Sequence, residues 1–186
     1  MLADKFMKTF LSIAMAVALL SPAAPAQKKP PTKKSTPASL YGQTAPTFML
    51  PDLDGNKFYL TEQLGKVVIL SFFTTYCKPC KKEMPELVKL ATNYPKDSLL
   101  LVFVDTGEKP DTLTEFLKTS PISQTLLIDQ FGHIADKYLA KNIPTTAVVD
   151  ARGAVAAHVI GYTPKNILTI KRALERLLPR GRAPGK

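Results

Sequence analysis

Runs of consecutive apolar and β-branched residues recur along the chain and predict strands that are buried on both faces. The first three are KVVILSFF, SLLLVFVD and QTLLID. Two more, TTAVVD and AVAAHVIG, flank Ala151-Arg152-Gly153, a sequence typical of a hairpin turn. The predicted strands therefore cover residues 66–73, 98–105, 124–129, 145–150 and 154–161.

Between and after these strands, apolar residues repeat at helical spacing. We expect Asp111 to be the N-cap of the second helix and Pro85 to kink the first one. Pro164 stands where the start of a helix tolerates proline. The last helix carries one apolar stripe, formed by Ile167, Ile170, Leu174 and Leu177. The predicted helices cover residues 81–94, 110–120, 133–140 and 164–178.

Two further apolar runs, within residues 46–61, surround Asp54-Gly55 and predict a β-hairpin ahead of the first buried strand. The remaining order, βαβαβαββα, requires a mixed sheet with helices on both faces. The sequence therefore predicts an α/β domain over residues 41–180, with this hairpin as an N-terminal extension.

The first 26 residues have the pattern of an export signal. A short basic start precedes the apolar stretch TFLSIAMAVALL, and SPAAPA ends in the small-x-small pattern of a cleavage site after Ala26. An uncleaved membrane anchor is the alternative. Residues 27–40 are rich in Pro, Lys and Ser/Thr and predict an extended linker. We therefore expect the domain to lie outside the cytoplasm, where disulfides persist.

The net charge of +10 is concentrated at the two ends of the chain. Residues 41–170 are balanced, with 13 basic and 13 acidic side chains. A nucleic-acid groove needs its positive charge on the folded surface, so the composition argues against that function. The basic ends, including the tail at residues 181–186, could instead contact an anionic membrane surface.

The chain has only two cysteines, Cys77 and Cys80, in the stretch TTYCKPCKKE. A disulfide stabilises mainly by closing a long loop, and a four-residue loop yields only roughly 2 kcal/mol. A zinc site would need two more ligands, and the two histidines, His133 and His158, are isolated in the sequence. Both a structural disulfide and a metal site are therefore weaker interpretations than a redox-active pair, and we predict no metal.

The position of the pair predicts how it reacts. A Cys-x-x-Cys motif between a buried strand and a helix places Cys77 at the helix N-terminus, where the dipole favours a thiolate. Nearby lysines add positive charge. Cys77 is therefore the predicted nucleophile, and Cys80, one turn further on, is the thiol that resolves the mixed disulfide.

TTYCKPCKKE together with NIPTT resembles the thioredoxin-like TlpA/ResA group of extracytoplasmic thiol-disulfide oxidoreductases. The resemblance runs from about Ala45 to Leu178 and implies a thioredoxin-like fold in which Pro144 is cis and lies against the disulfide. It also implies that the Ile143 backbone pairs with an extended partner segment. Tyr76, Ile143, Pro144 and Thr145 are accordingly the expected substrate-binding residues.

Two positions depart from the pattern of related proteins. Tyr76 replaces the tryptophan that usually precedes the first cysteine in this group. Ser71 stands where cytoplasmic thioredoxins carry a buried acid, so a different proton acceptor is needed. Glu83 occupies the position of a glutamate in ResA-type members and is the predicted acceptor. The alternative is that Glu83 is an exposed first-turn residue that only suits the helix dipole.

The sequence thus predicts an exported thiol-disulfide oxidoreductase that needs no cofactor and acts as a reductant of protein disulfides. The resemblance suggests apocytochrome c or a copper-receiving respiratory subunit as substrate, and a membrane thiol protein as electron donor. A peroxiredoxin-like peroxidase is one alternative, since Thr74 precedes Cys77 by three residues. A copper chaperone that uses both thiols is another.

Overall fold

A computed structural model describes residues 39–120 and 122–178. The predicted export signal (1–26), nearly all of the linker and the basic tail (181–186) lie outside these residues. The described elements, in chain order, are strands β1 (Met49–Pro51) and β2 (Lys57–Tyr59), a 3-10 helix (Leu60–Gln63), β3 (Val67–Phe73), α1 (Lys78–Ala91), β4 (Leu99–Thr106), α2 (Pro110–Thr119), β5 (Thr125–Asp129), α3 (His133–Lys137), β6 (Thr145–Val149), β7 (Val155–Ile160) and α4 (Pro164–Leu177).

The main sheet has five strands in the order β5-β4-β3-β6-β7, and β1 pairs with β2 in a separate hairpin. Strands β3, β4 and β5 are parallel, whereas β6 and β7 are antiparallel to their neighbours. The carboxyl ends of β3, β4 and β5 therefore meet the start of β6 and the end of β7. We call this side of the sheet the active edge. The predicted mixed sheet and N-terminal hairpin are confirmed.

Helices cover both faces of the sheet, as predicted. On one face, α1, α2 and α4 bury a cluster that includes Cys80, Leu113 and Leu174 against the sheet. On the other face, α3 and the N-terminal hairpin pack over Phe72 and Val104. Tyr138, which directly follows α3, is fully buried there and donates a hydrogen bond to the carbonyl of Pro46 at 2.9 Å. The hairpin is thus fixed to the domain through buried contacts.

The start of α2 differs from the prediction. Lys109 is the N-cap, without a side-chain cap hydrogen bond, and Asp111 lies inside the first turn. The reason is Pro110, whose fixed φ and missing N–H suit the first helical position. Helix α1 begins earlier than predicted, at Lys78, and continues through Pro85 as one element. None of the helices in the described ranges is both long and apolar enough to cross a membrane.

Candidate active site

The two cysteines lie at the active edge, where the chain passes from β3 into α1. Cys77 is the N-cap of α1, and its Sγ accepts a hydrogen bond from the Cys80 N–H at 3.2 Å. The two residues form a disulfide, with their Cα atoms 5.3 Å apart. Proline in the first turn of α1 suits the start of a helix at this point. The predicted position of Cys77 at the helix N-terminus is therefore confirmed.

The two sulfur-bearing residues differ in exposure. Cys77 retains 7% of its surface and Cys80 retains none. The helix N-terminus presents unpaired N–H groups and a positive dipole end to Cys77, which favours its thiolate. The three lysines of the first helical turns are solvent-exposed, and Lys81 lies over the ring of Phe116 at 5.7 Å. This geometry is compatible with attack by Cys77 and resolution by Cys80.

Glu83 is buried, retaining 1% of its surface. Its Oε2 accepts hydrogen bonds from Ser71 Oγ at 3.2 Å and from Thr146 Oγ1 at 3.1 Å. Its Oε1 has no partner in the described part of the chain. Burial raises the pKa of Glu83 to about 7, although the two hydroxyl groups lower that pKa in part and Glu86 raises it further. The alternative of an exposed residue at the helix dipole is therefore wrong.

The position of Glu83 also explains the serine in β3. Ser71 and Thr146 are cross-strand partners in β3 and β6, and both are fully buried. Their hydroxyls reach the same carboxylate from neighbouring strands. A buried carboxyl is thus present against β3, but helix α1 supplies it rather than the strand itself.

The Ile143–Pro144 peptide bond is cis, as the resemblance implied. Ile143 packs against the apolar cluster that contains both cysteines. No hydrogen bond to another described residue occupies the Ile143 backbone, whereas the Pro144 carbonyl accepts from the Gly161 N–H at 2.7 Å. The Ile143 backbone therefore remains available for an added segment.

The other two expected substrate-binding residues have different surroundings. Thr145 is fully buried, and its hydroxyl donates to the Asn142 carbonyl at 2.6 Å, so its side chain stabilises the loop. Tyr76 projects from the active edge and is 75% exposed. Its phenol ring is thus accessible to a partner protein.

Sequence reasoning missed a second exposed aromatic residue at this edge. Phe131 follows β5 and is 76% exposed, with its ring centroid 5.9 Å from that of His133. Parallel strands end at the same edge, so Phe131 follows the end of β5 at the edge that carries the cysteines, and β5 is two strands away from β3. An aromatic residue directly after a predicted strand was the available signal.

A second acidic group near the cysteines was also missed. Glu108, after β4, contacts Thr75 in the loop before Cys77, and Asp105 at the end of β4 is fully buried beside Glu108. The sequence gives no direct sign of this contact, since Thr75 and Glu108 are 33 residues apart.

Metal-ligating side chains do not gather near the cysteines. Across residues 39–120 and 122–178, no group of three or more His, Cys, Asp or Glu side chains is arranged to hold a metal ion. The bonded Cys77–Cys80 pair at the start of α1 is itself the group that can carry out thiol-disulfide exchange.

Comparison with known proteins agrees with this geometry. The AhpC/TSA family matches residues 41–158. The chain is 34% identical to the thiol-disulfide oxidoreductase ResA of Geobacillus thermodenitrificans over 138 residues, which cover 74% of this chain and 78% of that protein. It is 33% identical to ResA of Bacillus cereus over 127 residues, covering 68% of this chain and 73% of that protein.

The fold is also similar to that of solved structures. One is a crystal structure from Chlorobium tepidum described as a DsbE-type thiol:disulfide interchange protein. The two share a TM-score of 0.69 and 26% identity, over 75% of this chain and 99% of that one.

Proposed function

The chain belongs to the AhpC/TSA family and is a thiol-disulfide oxidoreductase of thioredoxin fold, and on that premise we propose that it reduces disulfide bonds in protein substrates outside the cytoplasm. The observation that carries this proposal is the bonded pair at the start of α1. Cys77 is the more accessible partner at the helix N-terminus, and Cys80 is fully buried behind it.

The proposed reaction proceeds in two exchanges. In the reduced protein, the Cys77 thiolate attacks a substrate disulfide, forms a mixed disulfide and releases the first substrate thiolate, which takes a proton. The Cys80 thiolate then attacks the Cys77 sulfur, breaks the mixed disulfide and releases the second substrate thiolate. The substrate gains two electrons, and the pair becomes the Cys77–Cys80 disulfide of the structure. A membrane thiol protein then reduces this disulfide again.

Glu83 is the proposed proton acceptor for Cys80. An apolar setting raises the pKa of a thiol, so Cys80 needs a base before it can resolve the mixed disulfide. Glu83 lies on the same helix three residues later, buried on the same side of the sheet and with one carboxylate oxygen free of partners among the described residues. A carboxyl with a pKa of about 7 is well matched to accept a proton at neutral pH.

We propose that the substrate binds along the active edge. An extended segment pairs with the Ile143 backbone beside cis-Pro144, and its side chains contact Tyr76. Thr145 contributes through its backbone and by stabilising the loop, because its hydroxyl is already bonded to Asn142.

The cellular setting is part of the same proposal. Residues 1–26 act as the export signal or as an uncleaved anchor, residues 27–40 as a linker, and residues 41–180 as the catalytic domain. The basic ends contact the membrane surface, which holds the domain near its electron donor. Apocytochrome c thiols or those of a respiratory subunit are the proposed substrates.

The proposed function is tested with a protein disulfide as substrate. Wild type should reduce it when a thiol donor is supplied, and Cys77→Ser should not. Brief alkylation of the reduced protein, followed by mass mapping, should label Cys77 before Cys80. Prior labelling of Cys80 would overturn the assigned roles, and absence of turnover in wild type would overturn the function.

One observation favours peroxide reduction as a second candidate. The Thr74 hydroxyl is buried without a partner among the described residues, and Thr74 precedes Cys77 by three positions. A free hydroxyl there could hydrogen-bond a peroxide oxygen. Peroxide consumption by wild type that is lost in Thr74→Val, with disulfide reduction unchanged, would support this second candidate.

A further inference from the structure

The loop between β3 and α1 is held by a carboxylate from another part of the chain. Glu108 Oε2 accepts the Thr75 N–H at 2.5 Å, and Glu108 Oε1 accepts the Thr75 hydroxyl at 2.6 Å. Both oxygens of one carboxylate are thus used on one residue. Hydrogen bonds to an ionised acceptor are about twice as strong as neutral ones, so this contact restrains the loop strongly.

Thr75 lies at the centre of the loop that carries the nucleophile. Residues 74–77 join β3 to α1, and within this loop the Cys77 N–H donates to the Thr74 carbonyl at 3.2 Å. Within the ranges that the structure describes, the two hydrogen bonds that Thr75 donates to Glu108 are the only ones that join residues 74–76 to a distant segment. The path of the chain into Cys77 therefore depends on Glu108.

Glu108 is in turn supported by Asp105. The Glu108 N–H donates to Asp105 Oδ2 at 3.0 Å, and Asp105 Oδ1 is buried without a partner in the described residues. Burial first, and the Glu108 side chain second, together raise the pKa of Asp105 to about 7, although backbone N–H groups lower that pKa in part. A neutral Asp105 can donate to the Glu108 carboxylate, whereas an ionised one repels it.

The other charged groups near Asp105 contribute less. Asp129, on the neighbouring strand, is directed to the opposite face, where its carboxylate accepts from the backbone of α3. Of the ionisable side chains around it, Glu108 is the one that shifts the pKa of Asp105. The remaining charged side chains on the two helices over this face are Lys78, Lys81, Lys82, Glu83, Glu86 and Lys89 of α1, Lys109 at the N-cap of α2, and Asp111, Glu115 and Lys118 within α2.

We propose that Glu108 is a positioning residue for Cys77, which holds the active-site loop through Thr75, and that Asp105 must be neutral for this hold to be complete. The inference rests on the proposed function, since it concerns the reactivity of the same thiol. Neither acid takes part in the exchange itself. Glu108 keeps Cys77 at the N-cap, where the helix favours its thiolate. Asp105, while neutral, adds no second negative charge beside Glu108.

The first test compares Thr75→Val with Thr75→Ser in the full-length reduced protein. Valine removes only the hydroxyl bond to Glu108, and serine retains it. The measurement is the rate of Cys77 alkylation by iodoacetamide as a function of pH. Valine should raise the apparent pKa of Cys77 and slow alkylation at neutral pH by about 3- to 10-fold, with serine close to wild type.

Two outcomes overturn the role of Glu108. One is a pH profile of Thr75→Val that superimposes on that of wild type. The other is a serine variant that behaves like the valine variant, which would mean that the hydroxyl bond is not the cause.

The second test concerns Asp105. It is done in a protein that lacks the Glu83 carboxyl, because the pKa of Glu83 is also about 7. In a Glu83→Gln background, Asp105→Asn is compared with its parent across about pH 5 to 9. Asparagine can donate to Glu108 and accept its N–H at every pH. The ratio of Cys77 alkylation rates, Asn variant to parent, should be near one in acid and rise at least about twofold through neutrality. A flat ratio overturns the role of Asp105.

These measurements do not require a protein substrate. If wild type fails to reduce protein disulfides but Thr75→Val still alters the Cys77 profile, the proposed function is wrong and the positioning role remains. If wild type reduces protein disulfides normally but the Cys77 alkylation profiles of the variants match that of wild type, the proposed function stands and the positioning role of Glu108 is wrong.

Discussion

Ser71 and Thr146 are paired across β3 and β6, and their hydroxyls donate to the same oxygen of Glu83. The sheet thus holds the carboxyl at a fixed place while leaving its other oxygen without a described partner. Hydrogen bonds from hydroxyls favour the charged form and burial favours the neutral one, so both forms are accessible near pH 7.

Glu83→Gln should slow the resolution of the mixed disulfide by Cys80, because the proposed proton acceptor is lost. General-base help is typically worth about 10²–10⁴-fold, and less where water substitutes. The first attack by Cys77 should be nearly unchanged or slightly faster. Stopped-flow kinetics of both steps across pH measure this. The control is Glu115→Gln, which changes an exposed glutamate of α2 paired with Lys118. Equal resolution rates in wild type, Glu83→Gln and Glu115→Gln would contradict the role of Glu83 as proton acceptor.

Glu83 should also make stability depend on pH. Its folded-state pKa is raised from 4.5 to about 7, so its contribution to stability is complete below pH 4.5 and declines as pH rises to about 7. The free energy of unfolding of Glu83→Gln, relative to wild type, should therefore increase by on the order of a few kcal/mol over that interval and then level off. Urea unfolding of the oxidised proteins at a series of pH values measures the difference.

The matched control for stability is Asp111→Asn, which changes an exposed acid in the first turn of α2. Its difference from wild type should vary less with pH than that of Glu83→Gln. Parallel pH curves for Glu83→Gln and wild type would show that folding does not raise the pKa of the Glu83 carboxyl.

Cys80→Ser should trap the substrate. Cys77 can still attack, but no thiol remains to resolve the mixed disulfide, so a covalent adduct accumulates that reductant releases. Cys77→Ser, as the control, should form no such adduct. Non-reducing gels and mass spectrometry after expression with the native N-terminus measure this. Equal adduct in both variants would contradict the order of attack.

Phe131→Ala should weaken turnover of a protein disulfide without affecting that of a small disulfide. Exposed aromatic residues at a contact surface often carry a large share of binding, so an increase in KM of a few-fold up to about tenfold is expected. Leu64→Ala is the control, since Leu64 is 59% exposed just before the start of β3, away from the active edge. An equal effect on the small disulfide would show damage to the site rather than lost contact.

The local parts of the site could be predicted from sequence, and the long-range parts could not. Cys77 follows a strongly apolar strand and precedes a helical repeat, so its place at the helix N-terminus follows from neighbouring residues. The cis state of Pro144 followed from the resemblance alone. The burial of Glu83 depends on how α1 is rotated against the sheet, and the contact of Glu108 with Thr75 joins segments 33 residues apart.

The error at Asp111 has a different, local origin. Side-chain preference favoured an aspartate as the cap, but the backbone restriction of the preceding proline decided where the helix begins. At that position the sequence held both signals, and the covalent constraint outweighed the hydrogen-bonding preference.

The burial of Glu83 adds a carboxyl that changes charge near neutral pH to the protons that the two thiols themselves bind and release. Reduction of the disulfide produces two sulfur groups, each a neutral thiol or a charged thiolate, at the start of the helix that carries a carboxyl poised between its two forms. A thiolate formed near that carboxyl would raise its pKa, so on the proposed mechanism we expect its proton occupancy to change with the redox state. The protein is thus a carrier of hydrogen equivalents rather than of electrons alone, and the acidity of its compartment sets the potential that each partner meets.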